Sequence, residues 1–174
     1  EGNAQKTYFS AFQYMCLGEL KFYNRSRRPP LDPMNALLSL GYALLLSEIS
    51  SYLQALGLDP DIGIFHETRY ARPALSLDLM EEFRAPIVDR LALFLNNNHI
   101  LKPDDFTTDP VEGVRLSEKA LKRYLEEYEK FISREMDDEK GRKTTFRFIL
   151  LKQTEKLKNF FQKKDDYQPY LLRS

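Results

Sequence analysis

Asp32-Pro33-Met34-Asn35-Ala36-Leu37-Leu38-Ser39-Leu40-Gly41-Tyr42-Ala43-Leu44-Leu45-Leu46-Ser47-Glu48-Ile49-Ser50-Ser51-Tyr52-Leu53-Gln54-Ala55-Leu56-Gly57 decides the fold. Asp32 is a short polar residue suited to cap a helix, Pro33 has its φ preset for the first helical position, and Gly57 readily takes the left-handed conformation past the last turn. Between them the chain is apolar on nearly every side. The segment is therefore predicted as one helix from about Pro33 to Leu56, buried at the centre of a helical domain. One charge interrupts it. Glu48 shares a stripe with Leu37, Gly41, Leu44, Leu45, Tyr52 and Ala55, at offsets built from three- and four-residue steps. A carboxylate buried there without compensation is costly, so either an arginine such as Arg84 or a cation is expected beside it.

Downstream, Leu58-Asp59-Pro60-Asp61-Ile62-Gly63-Ile64-Phe65-His66 is turn chemistry followed by a short apolar piece ending on an imidazole. A lone histidine there serves either as a satisfied structural residue or as a ligand. After the Arg72-Pro73 breaker, Asp78 and Glu81 stand one helical turn apart among Leu75, Leu79 and Met80, with Glu82 at a different angle on the same turn. One histidine with two or three carboxylates suits Mg²⁺ or Mn²⁺ with positions open to phosphate oxygens. It does not suit structural zinc.

Residues 3–22 carry helical spacing at Tyr8, Phe9, Phe12, Met15, Cys16 and Leu20, and Asn24 to Pro30 form a basic loop stopped by prolines. A helix is predicted from Leu75 to about Asn96, ended or kinked at Pro86. Asn96-Asn97-Asn98 marks a loop and residues 106–116 look irregular. Ser117 caps a helix to about Asp137, Asp137 to Gly141 is a solvated turn, and a last helix spans about Arg142 to Gln162. Tyr167-Gln168-Pro169-Tyr170 is an extended tail. The expected class is all-α, a single domain over residues 1–174 with little or no sheet.

The chain has 174 residues with 26 basic and 26 acidic side chains, so no global charge announces a nucleic-acid partner and any such surface must be local. From Gly141 to Ser174 nine basic residues face three acidic ones, either a solvated helix face or a surface for phosphate backbone. The single Cys16 excludes an intramolecular disulfide and fits a reducing, cytoplasmic setting. No apolar run approaches the roughly 20 residues of a membrane span, so no membrane association is expected. The start at Glu1 has no signal-peptide character and resembles a cut through a longer protein. There is no glycine-rich phosphate loop, serine elbow or Cys–His arrangement. Cys16 is expected in the core and His99 on the surface.

Several of these pieces resemble one family. Arg27-Arg28-Pro29-Pro30 with Asp32 to Ser39, Gly57-Leu58-Asp59-Pro60 with Gly63-Ile64-Phe65-His66, and Leu77-Asp78-Leu79-Met80-Glu81-Glu82-Phe83-Arg84 are similar to the CRISPR-associated spacer-acquisition integrase. So are Gly113-Val114-Arg115-Leu116-Ser117 and the Gln153 helix with Tyr167-Gln168-Pro169-Tyr170. The resemblance implies an α-helical catalytic domain holding Mg²⁺ or Mn²⁺ through Glu48, His66 and Glu81, with Asp78 at a further acidic position. It also implies strand transfer in which a 3′-hydroxyl attacks a phosphodiester. The partners implied are double-stranded and branched DNA (protospacer and CRISPR repeat), a homodimer in the full-length form, and the small dimeric partner protein of the spacer-acquisition complex. Arg84, Arg25, Arg27 and Arg28 become candidate phosphate contacts. The family's N-terminal β-rich domain has no counterpart in these residues. The competing classes are a non-catalytic helical DNA-binding or assembly module, and a hydrolase for a small phosphoester.

Overall fold

The computed structural model describes residues 2–63, 73–138 and 140–171. Among them are helices α1 (Gly2–Met15), α2 (Pro33–Ala55), α3 (Ala74–Glu81), α4 (Arg90–Asn97), α5 (Glu118–Ser133) and α6 (Phe146–Phe161). Strand β1 (Phe106–Asp109) pairs antiparallel with β2 (Gly113–Leu116), and β3 (Met136–Asp137) with β4 (Lys143–Thr144). The protein is mostly helical, and the expected all-α class is corrected by these two small hairpins. Both are made by aspartate turns rather than by strand-like alternation. Asp109 Oδ1 accepts the Val111 and Glu112 N–H groups, each at 2.8 Å, and Asp138 Oδ1 accepts those of Lys140 and Arg142 at 2.8 and 2.9 Å.

Helix α2 forms as its ends dictate. Asp32 Oδ1 caps it by accepting the Asn35 N–H at 2.7 Å, and Gly57 follows with φ +76°. At 23 residues α2 has the length and apolar composition of a membrane span, contrary to the expectation that no run comes near it. Here it is a core helix, with Met34, Leu37, Leu38, Leu45, Ile49 and Leu53 fully buried.

The chain divides into two compact units, Glu1–Gly41 with Asp89–Tyr128, and Tyr42–Val88 with Glu129–Ser174. In the first, Phe9, Phe12 and Phe22 pack edge-on or tilted with ring centroids 5.0–5.9 Å apart. Helix α1 stops at Met15, short of the expected residue 22, because the following backbone is claimed from a distance. Asn97 Oδ1 takes the N–H groups of Leu17 and Gly18 at 2.9 and 3.2 Å. Buried Asn96 takes the Leu20 N–H at 2.9 Å and donates to the Leu20 carbonyl at 3.0 Å. A Cβ on Gly18 would lie 2.2 Å from the Asn96 carbonyl oxygen. Gly18→Ala is therefore expected to cost about 1–3 kcal/mol, read as a lowered midpoint in urea unfolding with an unchanged m-value.

The second unit buries Leu75, Leu79, Met80, Phe83, Ile87, Phe146, Leu150 and Leu157. The helix expected from Leu75 to Asn96 is broken into α3, a π-helical turn over Arg84–Asp89, and α4. Pro86 lacks an N–H and its ring crowds the carbonyl four residues back, so the wider turn absorbs what α-helical geometry cannot. Serine and threonine caps start the last two helices. Ser117 Oγ accepts from the Ala120 N–H at 3.3 Å, and Thr145 Oγ1 accepts from the Phe148 N–H at 3.1 Å, so α6 begins four residues past its expected start.

Candidate functional site

Glu48 points from the apolar helix α2 to an arginine. Its side chain is 16% exposed, and Arg147 Nε donates to Oε1 at 2.8 Å. The Tyr52 hydroxyl, one turn later on α2, donates to the same oxygen at 3.0 Å. Among the described residues the ion-pair partner of Glu48 is thus Arg147 on α6, while Arg84 pairs with Glu81. Arg147 is itself held by Glu129, through Nη1 at 2.6 Å and Nη2 at 2.9 Å, while Nη1 also donates to Ser133 Oγ at 2.9 Å. This two-pronged grip fixes the guanidinium plane and hence the oxygen it offers its remaining N–H to. Burial and then the neighbouring Glu48 charge push the Tyr52 hydroxyl up to about 12. The hydrogen bonds from Arg147 hold the Glu129 carboxyl down at about 2.

A folded-state value below that of the unfolded chain stabilises the fold above pH 4.5, and the gain is lost as pH falls towards 2. Glu129 is well exposed, so the effect is small, under about 1 kcal/mol. Arg147→Met is expected to flatten this acid limb, measured by urea unfolding across a pH series.

Helix α3 carries the other acidic residues. Glu81 is exposed and accepts from Arg84 Nη1 at 2.6 Å. The Arg84 guanidinium lies over the Tyr42 ring, 4.5 Å from its centroid. Ser50 and Ser76 hydroxyls meet at 2.7 Å, and the Leu75 N–H reaches back to the Pro60 carbonyl at 2.8 Å. The Tyr42–Arg84 and Ser50–Ser76 contacts set α2 and α3 antiparallel, with Asp78, half-buried, level with Glu48 and Glu81 about a turn further along. His66 lies outside the described residues. Among the described residues no three His, Cys, Asp or Glu side chains gather as a metal-binding group. In kind, the carboxylates of Asp78 and Glu81, one turn apart on α3, fit a hard divalent cation, while Glu48 stands on the side of α2 turned away from the Tyr42 and Ser50 contacts and meets Arg147.

Of the candidate phosphate contacts, Arg25 is turned inward. It donates to Asn35 Oδ1 at 2.7 Å, to Ser39 Oγ at 3.2 Å and to the Ser26 carbonyl, fastening the basic loop to α2. Arg27 and Arg28 are exposed, Arg27 with a long contact of 3.4 Å to Gln5 Oε1. Cys16 is buried, its thiol pushed up to about 11 by burial, and His99 is exposed with Nδ1 3.4 Å from Glu19.

Sequence reasoning missed two constellations. The first is the Glu48–Arg147–Glu129 chain, for which the only signal was that a charge on an apolar stripe needs an opposite charge somewhere. The second surrounds Glu82, whose carboxylate accepts the Tyr167 hydroxyl, the Tyr170 N–H at 2.6 Å and Gln153 Nε2 at 3.0 Å. Its signal was Gln153, a buried amide between Leu150 and Leu157 on the apolar side of α6. The β3–β4 hairpin, α6 and Pro169 to Leu171 also enclose a groove of about 870 Å³. Lys140, Arg142, Lys143, Lys152 and Lys156 line it with Phe148 and Tyr170.

The family model described as "CRISPR associated protein Cas1" matches residues 1–130. A CRISPR-associated endonuclease Cas1 of Thermus thermophilus is 42% identical over 176 residues, covering 99% of this chain and 52% of that protein. A chain of a partial Cas6-RT-Cas1–Cas2 complex superposes with a TM-score of 0.80 at 34% identity, over 97% of this chain and 51% of the other. A casposase bound to integration product has the same fold, with a TM-score of 0.85 at 24% identity over 95% of this chain and 47% of that one. The chain spans about half the length of the relatives it matches. On the matched residues and the identity together, the chain belongs to the CRISPR-associated Cas1 family.

Proposed function

We propose that this chain is the helical catalytic part of a DNA endonuclease and integrase of CRISPR adaptation. What carries the reading is membership of this family together with Asp78 and Glu81 one turn apart on α3, the helix that packs antiparallel on α2. In this reading Glu48, His66 and Glu81 hold Mg²⁺ or Mn²⁺, with Asp78 beside them. The bound cation would neutralise charge developing on the phosphate oxygens and lower the pKa of the attacking hydroxyl. Arg84, confined between Tyr42 and Glu81, keeps a positive charge beside the acidic helix without having to be ordered when DNA arrives. Arg147 holds the Glu48 carboxylate in one orientation.

The reaction is an in-line displacement at phosphorus. A 3′-hydroxyl forms the new P–O bond and gives up its proton, and the 3′-oxygen on the far side leaves and takes one up. Water in place of the attacking hydroxyl gives hydrolysis. No side-chain nucleophile is needed. Homodimerisation and association with Cas2, the protein that accompanies Cas1 in the related complex, belong to the same proposal.

The basic groove is proposed as the path of the phosphate backbone. Arg142, Lys143 and Lys152 are paired with Asp138, Asp137 and Glu155 at 2.6–3.0 Å, so each must exchange a carboxylate for a phosphate. Replacing Lys152 and Lys156 by Gln should weaken DNA binding similarly for all sequences. The slope of log K against log salt should fall by about 1 for each lysine that neutralises a phosphate. Fluorescence anisotropy titrations at several salt concentrations give this slope, and an unchanged one removes the groove from the DNA path.

One observation favours the second reading, a non-catalytic DNA-binding or assembly module: Glu48 and Glu81 already have arginine partners. Calorimetric titration of the full-length protein with Mn²⁺ separates the two. Binding that disappears in Glu48→Gln supports the enzyme, and no heat of binding supports the module.

A further inference from the structure

Helix α3 is eight residues long, and its N-cap residue, Pro73, makes no side-chain capping bond. Such a helix does not hold itself in place. Its far end is fixed by Glu82, the residue directly after Glu81. Tyr167 and Tyr170 of the C-terminal segment and Gln153 of α6 all donate to the Glu82 carboxylate. Gln153 Nε2 also donates to the Gln168 carbonyl at 2.6 Å and lies 3.2 Å from the Tyr167 hydroxyl oxygen, and Lys156 Nζ donates to Gln153 Oε1 at 3.0 Å. The Tyr170 ring lies parallel on Phe83 with centroids 5.1 Å apart and an 8° tilt. The segment from Tyr167 to Tyr170 is thus a strap, bonded to the first residue past α3 and stacked on the second.

We infer that this strap is a positioning device for the acidic helix: Glu82, Tyr167 and Gln153 act through Asp78 and Glu81 rather than on DNA, holding those two carboxylates in place for the cation. The inference rests on the metal reading above. Its physical basis is that a carboxylate fixed by three donors from other elements cannot rotate, while Glu81 next to it lies on an exposed surface and is met by Arg84 of its own turn. The C-terminal segment then contributes to the site with no residue of its own at the chemistry.

The test uses the full-length protein, prepared metal-free, with Tyr167→Phe, Glu82→Gln and Glu82→Ala. Hydrogen exchange of residues 77–83 is measured without metal, and Mn²⁺ affinity by calorimetry. Tyr167→Phe is expected to speed exchange in 77–83 while leaving α6 core amides unchanged, and to weaken Mn²⁺ binding by about 10–100-fold. Glu82→Gln, which keeps an acceptor for the Tyr170 N–H, should lose less than Glu82→Ala. If Glu82→Ala does not fold, Tyr167→Phe decides. Unchanged Mn²⁺ affinity in a folded Tyr167→Phe, or exchange that rises equally throughout the second unit, overturns the positioning role. If the unmodified protein binds no Mn²⁺, the metal reading fails and this inference with it. If it binds and the variants bind equally, only the strap fails.

Discussion

His66→Ala and Glu81→Ala are each expected to abolish metal-dependent strand transfer in the full-length protein. The loss should exceed about 100-fold, beyond what removing an outer partner of a metal ligand costs. The folded state should barely notice Glu81→Ala. Glu81 is exposed, and Arg84 keeps its place over Tyr42 when the carboxylate is gone. A surface substitution of that kind changes stability by about 0.5 kcal/mol or less. Glu48→Gln should be equally damaging to activity but not silent in stability, because the neutral amide leaves the Arg147 guanidinium facing a weaker acceptor. Strand transfer on a branched substrate, beside circular dichroism and thermal melting, separates loss of chemistry from loss of fold. Activity retained in any one variant would take that residue out of the site.

The second large effect is structural. Asn96→Ala leaves the N–H and C=O of Leu20 without the side chain that satisfies both, in a residue that is 1% exposed. At about 1–3 kcal/mol for each unsatisfied buried group, the expected loss is about 2–5 kcal/mol. In a chain of this size that lowers the melting temperature by about 5–15 °C. The neighbouring Asn97→Ala is the control. Its bonds to Leu17, Gly18 and Met15 lie at or near the surface, where water replaces them, and the loss should stay under about 1 kcal/mol. Equal losses at the two positions, by calorimetry, would show that burial of the Leu20 backbone is not what makes Asn96 important.

Local chemistry made the helices legible. Asp32, Pro33 and Gly57 bound α2 within a residue or two of its actual ends, and Ser117 does the same for the start of α5. Expectations failed where distant residues decide. The end of α1 is set by Asn96 and Asn97, some 80 residues on, whose sequence context signals only a loop. The partner of Glu48 is 99 residues away, and nothing in the spacing around Arg147 distinguishes it from the other basic residues of the last helix. The hairpins escaped because three of the four residues of β1 are exposed, so no apolar alternation exists to be seen. For the candidate site, the residue types on α2 and α3 were legible from chemistry and from the family resemblance. Their antiparallel level could only come from the Ser50–Ser76 and Tyr42–Arg84 contacts.

A 23-residue helix as apolar as α2 has the length and composition of a membrane span, a test that the core helices of soluble proteins also pass. Glu48 sits about a turn from its midpoint. An acidic side chain that deep in a bilayer costs about 2.5–3.5 kcal/mol on insertion, using the value for Asp, whereas in the finished fold the same charge is met by Arg147. The carboxylate proposed for the chemistry therefore makes α2 a poorer membrane span than its length and mean hydropathy alone indicate.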